Sequence, residues 1–227
     1  MTTNNRATLD RELREIQDNV LRMGSLLDAA IKLALESLVS RNASLARQVV
    51  NDDATVNKLR FQIEEQCLDV IATQQPMATD LRVVVAAMNI VSDLERMADH
   101  AAGVAKIVIR MGDEPLVKPL IDIPRMAEAC RTMTRKVLDA YVQHDVETAK
   151  AMATMDDVID DFHQQIFREL LSFMIEDPST TSRALFLIFV SHNLERIGDR
   201  AVNIAERVIF MTVGEMKELS AGPDAPL

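Results

Sequence analysis

The sequence predicts an all-α protein, built as two tandem antiparallel three-helix bundles related by an internal repeat. Three observations carry that expectation. The chain of 227 residues has six glycines, one tyrosine and no tryptophan, while alanine, leucine and methionine abound, a composition that favours helix over sheet. Apolar residues recur at helical spacing along six long segments, and no strand alternation competes with them. Residues 92–111 and 192–211 align without a gap, and nine of their twenty positions are identical.

Each helix can be justified in turn. The first runs from Thr8 to Ser40 with Leu9, Leu13, Ile16, Val20, Leu27, Ile31 and Leu38 on one stripe. The second spans Leu45–Thr73 on Val49, Val56, Leu59, Ile63, Cys67 and Val70. Pro76 closes it, because proline disfavours helix at the residue before it. The third spans Ala78–Met111 and is apolar over much of its circumference, which places it centrally. Gly112 through Pro119 breaks the pattern and marks the boundary between the repeats. The fourth helix runs over Ile123–Gln143, the fifth over Val146–Ile175 up to Asp177-Pro178, and the sixth over Thr181–Val213, central like the third. The expected organisation is therefore a first bundle at 1–114, a second at 115–215 and a flexible tail at 216–227. Helices of this length measure about 45 Å, so each bundle is rod-like.

Composition excludes several classes of function. The net charge is −10 and the isoelectric point is 4.9. Such a chain repels nucleic acid and suits cationic partners, either metal ions or basic protein surfaces. Cys67 and Cys130 lie in helical patterns far apart in sequence, which reads as two buried free thiols rather than a disulfide or thiolate site. The first residues lack the apolar run of a signal peptide, and no apolar run approaches the ~20 residues that span a bilayer. The expected location is cytoplasmic.

The aligned helices share Leu-Glu-Arg-x-x-Asp, with Glu95 and Asp99 in the first copy and Glu195 and Asp199 in the second. Acids four apart lie on one helix face, where like charges cost a few tenths of a kcal/mol. A chain that carries the same unfavourable pair twice is expected to set something positive against it. The preceding helices carry Asp53 with Asn57, and Asp156 with Asp160. If each half folds back about its proline turn, residues equidistant from the turn stand level. A turn centred on Gln75 sets Asp53 beside Met97, midway between Glu95 and Asp99. A turn centred on Pro178 sets Asp156 beside Arg200 and Asp160 beside Arg196. Both acid sets then meet within one helical turn, about 5 Å. Rotation about each helix axis is not given by this arithmetic.

These acids interrupt an apolar seam, where a carboxylate is costly unless paired or bound to metal. Pairing with Arg96, Arg196 and Arg200 is the structural alternative. Oxygen ligands without thiolates suit hard or borderline cations: Fe³⁺, Mn²⁺, Mg²⁺, or Zn²⁺ with further ligands. The Glu-x-x-His signature of di-iron bundles is missing, and Asp160-x-x-His163 occurs once. His100 and His192 flank the motifs and are read as structural. No HExxH, glycine-rich phosphate loop or nucleophile elbow occurs, so no catalytic constellation is expected. Asn57 is a weaker ligand than Asp160, so the first site is expected to bind less tightly.

The duplicated Leu-Glu-Arg-Met/Ile-Ala/Gly-Asp core resembles the PhoU family of phosphate-transport accessory proteins. Gln74-Gln75-Pro76 with Asp80-Leu81-Arg82, Asp53-x-x-Val56-Asn57, Asp156-x-x-Ile159-Asp160, and Ile166 through Pro178 resemble further family motifs. The resemblance implies two three-helix bundles, often a homodimer, with multinuclear metal sites holding iron or zinc. Carried over, the ligands are Glu95, Asp99, Glu195, Asp199, Asp53, Asp156 and Asp160. It also implies a non-enzymatic regulator that reports phosphate sufficiency. Such a protein bridges the ATPase subunit of the phosphate ABC transporter and a membrane sensor histidine kinase, holding the kinase in its inhibitory mode. It would meet the membrane only through these partners. Two rival readings stand beside this one: a metal-dependent hydrolase or metal-storage protein using the clustered carboxylates, and a structural bundle whose acids pair with arginines.

Overall fold

The computed structural model of the protein describes residues 2–216 and 218–219, with side chains from residue 6 onward. Six α-helices make up the described chain: α1 (Thr2–Ser40), α2 (Ala43–Gln74), α3 (Thr79–Met111), α4 (Asp122–Gln143), α5 (Val146–Glu176) and α6 (Thr181–Val213). No strand occurs among the described residues. Five of the six match the helices expected from periodicity to within two residues at each end. The exception is α1, which begins at Thr2 rather than Thr8. Its first turns carry no apolar stripe, so periodicity cannot see them. Arg6 supports them instead, pairing with Asp10 at 2.9 Å and reaching Asp80 at the start of α3 at 2.6 Å.

The turns follow from local chemistry. Asn42 caps α2, its side chain accepting from the backbone N–H groups of Ser44 and Leu45. Gln75 ends that helix in the left-handed region at φ 50°, and Pro76 prevents any continuation. Asp145 caps α5 by accepting from the N–H groups of Glu147 and Thr148. Asp177 caps a single 3₁₀ turn at Pro178–Thr180 before α6 begins. The reversals inside each half are therefore short, and successive helices run antiparallel; residues 112–121 make the longer link from α3 to α4.

Helices α1, α2 and α3 pack together, as do α4, α5 and α6, and α3 lies against α6 along the centre. Small residues allow the close approach: a Cβ on Gly103 of α3 would stand 2.5 Å from Asn193 Oδ1 of α6, and Ala101 and Ala105 of α3 and Ala201 and Ala205 of α6 are buried. The central pair is antiparallel, since Asp93 of α3 meets Asn203 of α6 at 3.4 Å and His100 of α3 meets Asn193 of α6 at 3.1 Å. A second contact joins α1 to α4, where Arg131 grips Asp28 with two hydrogen bonds of 2.8 Å. The core is one continuous cluster of aliphatic and methionine side chains. Cys67 and Cys130 are buried and free. Burial pushes the Cys67 thiol up to about 12 and the Cys130 thiol higher still, so neither offers a thiolate.

No helix is long and apolar enough to cross a membrane among the described residues. Most of the tail expected at 216–227 lies outside the described residues. Its Leu219 is described, and the Leu219 N–H donates to Glu206 Oε1 at 2.9 Å.

Candidate metal centre

In the second half, α5 supplies Asp156 and Asp160, and α6 supplies Glu195 and Asp199. The closest approach is set by a glycine. A Cβ on Gly198 would stand 2.3 Å from Asp156 Oδ1 and 3.1 Å from Ile159 Cδ1. The Asp156 carboxylate thus rests on the α6 backbone, in the turn between Glu195 and Asp199, and only glycine leaves room for it. The level expected from the turn arithmetic, Asp156 beside Arg200, is met within one helical turn.

The electrostatics place all four acids around one volume. Burial pushes the Asp156 carboxyl up to about 7, with further upward pushes from Asp160, Asp199 and Glu195. Burial, then Glu195 and Asp199, raise Asp160 as well. Like-charge shifts of this kind need carboxylates close to one another. Asp156 Oδ1 and Glu195 Oε2 are buried and lack a hydrogen-bond partner. Positive charge is sparse here: Arg196 holds Asp199 Oδ2 at 2.5 Å, and His192 Nδ1 lies 3.1 Å from Glu195 Oε2 without donating to it.

Two histidines stand beside this set: His192, read from sequence as structural, and His163, noted there as the single Asp160-x-x-His163 occurrence. His163 Nδ1 lies 3.0 Å from Ser191 Oγ, and the His163 and His192 rings are 6.1 Å apart. Their signal was present as helical spacing, His163 three residues after Asp160 and His192 three before Glu195. A lone histidine carries little weight without the partner helix in view.

The first half is assembled differently. Asp53 of α2 faces Asp99 and Glu95 of α3, and burial followed by Asp99 raises its carboxyl, against an opposing pull from Lys106. Asn57 Nδ2 donates to Asp53 Oδ2 at 3.2 Å. Arg60, which carried no expectation from sequence, reaches across from α2 to Glu95 Oε1 at 3.1 Å while its Nε holds Glu64 at 2.8 Å. Asp53 Oδ1 is left buried without a partner. Three acids meet here too, but an internal cation already stands among them.

The arginine pairs weighed as the alternative form only in part. Arg196 does pair with Asp199. Arg96 makes no ion pair among the described residues, and Arg200 turns to Asp93 at 3.6 Å instead of to Asp199. The reason is helix rotation: Arg200 projects toward α3, whereas Asp199 projects toward α5. Each acid set stays within its own half.

The donor set of the second half fits a cation better than that of the first. It has four carboxylates, two orphaned buried oxygens and one arginine at its edge. The first has three carboxylates, an amide and Arg60. As the side chains lie, no group of three histidine, cysteine, aspartate or glutamate residues closes tightly enough to hold a metal ion among the described residues.

The family model of the PhoU domain matches twice, over residues 20–108 and 123–208. A phosphate-specific transport system accessory protein PhoU homolog of Zymomonas mobilis is 38% identical over 216 residues, covering 95% of this chain and 91% of the relative. The homolog of Aquifex aeolicus is also 38% identical, covering 92% of this chain and 94% of the relative. The crystal structure of PhoU from Pseudomonas aeruginosa superposes with a TM-score of 0.86 at 33% identity, over 91% of this chain and 99% of that one. The phosphate transport system regulatory protein PhoU from Streptococcus pneumoniae gives a TM-score of 0.86 at 29% identity, over 92% and 99%.

Proposed function

The chain belongs to the PhoU family, and from that premise we propose that it is a non-enzymatic regulator of phosphate uptake and signalling. The observation that carries this reading is the match of both PhoU domains in order along one chain, together with relatives named as accessory proteins of phosphate-specific transport over most of its length. In its finer form, the protein is cytoplasmic and acts as a negative regulator of the phosphate-starvation regulon. It bridges the ATPase subunit of the phosphate ABC transporter and a sensor histidine kinase.

Two surface features support a docking role. The acidic net charge suits basic partner surfaces. Phe167, Leu171 and Ile175 on α5 and Leu185 and Phe189 on α6 are all exposed large apolar side chains. Phe167 and Phe189, like Leu171 and Leu185, stand at matching distances from the α5–α6 turn. Exposed apolar clusters of that kind mark interaction sites, whether for a partner or for a second copy of this chain.

The proposed metal ligands are Asp156, Asp160, Glu195 and Asp199 in the second half, and Asp53, Glu95 and Asp99 in the first, with iron or zinc the expected ion and manganese or magnesium as alternatives. When bound, a cation would supply the positive charge that the clustered carboxylates lack. The residues' own part is to hold α5 against α6 at a fixed rotation. Gly198 admits Asp156, and Arg196 restrains Asp199.

The test is a phosphate-starvation reporter, such as alkaline phosphatase activity, in cells that lack this gene and grow in abundant phosphate. High activity that returns to baseline with the intact gene is the expected outcome. Unchanged activity argues against the regulatory reading.

A further inference from the structure

The repeat relates Glu95 of α3 to Glu195 of α6, and so each residue of α3 to one numbered a hundred higher. Two antiparallel helices related in this way have two equivalent flanks, which the repeat would furnish alike. They are not alike. One flank is a polar cleft of about 540 Å³ lined by Asn89, Arg96, Arg200 and Arg207, with Ser92 and Asn203 between them. On the other flank, Arg196 still matches Arg96. There, however, His100 stands for Arg200, Ile107 for Arg207 and Phe189 for Asn89. The fold therefore tolerates apolar or weakly basic side chains at these positions, and packing alone does not call for the guanidinium groups.

These guanidinium groups are also under-partnered. The Nε atoms of Arg200 and Arg207 are buried and have no acceptor. Arg200 holds only the 3.6 Å contact with Asp93, and neither Arg96 nor Arg207 forms an ion pair among the described residues. The cleft's own acids do not supply what is missing. Asp93 is engaged by Asn203 and Arg200, and Glu206 by the Leu219 N–H. Glu218 lies exposed at the rim. A guanidinium carries five donors in a planar fork that matches the oxygens of a phosphoryl group. The buried Nε donors of Arg200 and Arg207 are costly to leave unmade, and Arg96 stands exposed beside them.

We infer that the cleft formed by Arg96, Arg200 and Arg207 between α3 and α6 binds a phosphoryl oxyanion, either inorganic phosphate or the phosphoryl end of a nucleotide. The site is separate from the proposed metal ligands, although it opens beside Glu95 and Asp99 through the shared lining of Ser92, Arg96 and Arg200. It needs no metal.

The test is calorimetric titration of the full chain, treated with chelator, with inorganic phosphate at an ionic strength held constant with chloride. A parallel titration uses ATP. One saturable site per chain is expected. Arg96→Gln and Arg207→Gln each remove a guanidinium without breaking an ion pair, and each should weaken binding about tenfold or more, with helicity unchanged by circular dichroism. The anion that binds more tightly identifies the source. No saturable heat with either anion, or unchanged affinity in both well-folded variants, overturns the inference. Zinc titration of the same chelator-treated chain reads the metal proposal separately, so one can fail without the other.

Discussion

Asp156→Asn is the sharpest probe of the second acid set, because it predicts effects of opposite sign with and without metal. In the metal-free chain, burial and the neighbouring acids lift the Asp156 carboxyl from its ordinary 3.8 to about 7. One pKa unit is worth 1.36 kcal/mol, so the lift corresponds to about 4 kcal/mol between the protonation states. Asp156 is only partly buried, and solvent screening brings the expected value to about 2 kcal/mol. The sign follows from linkage. A folded-state pKa above the unfolded one means that the folded chain binds the extra proton. Wild-type stability therefore falls as pH rises from about 4 to about 7, and the penalty is complete above that range. The isosteric amide carries no charge to repel. At pH 8 and without metal, Asp156→Asn should be more stable than wild type by about 2 kcal/mol, or about 4–8 °C in melting temperature for a chain of this size. The difference should shrink toward zero near pH 4. Saturating zinc or iron should reverse the order, since only the wild type gains the full binding energy. The assay is thermal unfolding by circular dichroism at several pH values, with chelator and with metal. A variant less stable than wild type at pH 8 in chelator would refute the electrostatic account. An order that metal does not reverse would refute Asp156 as a ligand.

Three further outcomes follow from the same geometry. Gly198→Ala adds a Cβ 2.3 Å from Asp156 Oδ1, so it should displace that carboxylate and weaken metal binding about tenfold or more in a calorimetric titration; unchanged affinity would dissociate Asp156 from the site. Combining Asn57→Asp with Arg60→His should give the first half the donor set of the second and raise the metal bound per chain, as read by elemental analysis after dialysis; an unchanged ratio would show that Arg60 is not what keeps the first site weak. Arg131→Ala breaks the two-bonded grip on Asp28 that ties α1 to α4, and should cost about 1–3 kcal/mol in denaturant unfolding; a loss of only a few tenths would mean that solvent screening already cancels the pair.

The helical architecture was legible along the chain because each helix buries one stripe, and the stripes of Val49–Val70 and Leu9–Leu38 announce themselves by period. Proline chemistry at Pro76 and Pro178 located the hairpin reversals, and the Gly112–Pro119 break located the boundary between the repeats. The duplicated Leu-Glu-Arg-x-x-Asp core and its level-matched partners on α2 and α5 also located the acids, because level along a hairpin is simple arithmetic. Rotation is not. Whether Arg200 faces Asp199 or Asp93, and whether Glu95 meets a metal or Arg60, depends on how neighbouring helices turn about their own axes. That is decided by how buried side chains such as Ala98, Gly198 and Ile159 interlock.

The cleft between α3 and α6 lies wholly on the tertiary side of that line. Arg96 belongs to the duplicated Leu-Glu-Arg-x-x-Asp core, but no spacing in the sequence joins it to Arg200 and Arg207, which come to it from another helix. Sequence by itself determined which segments are helical, where the chain reverses and which acids recur, since these depend on near neighbours and periodic burial. The tertiary structure alone decided which charges face one another, since that depends on long-range packing and on the burial that leaves some of those charges unsatisfied.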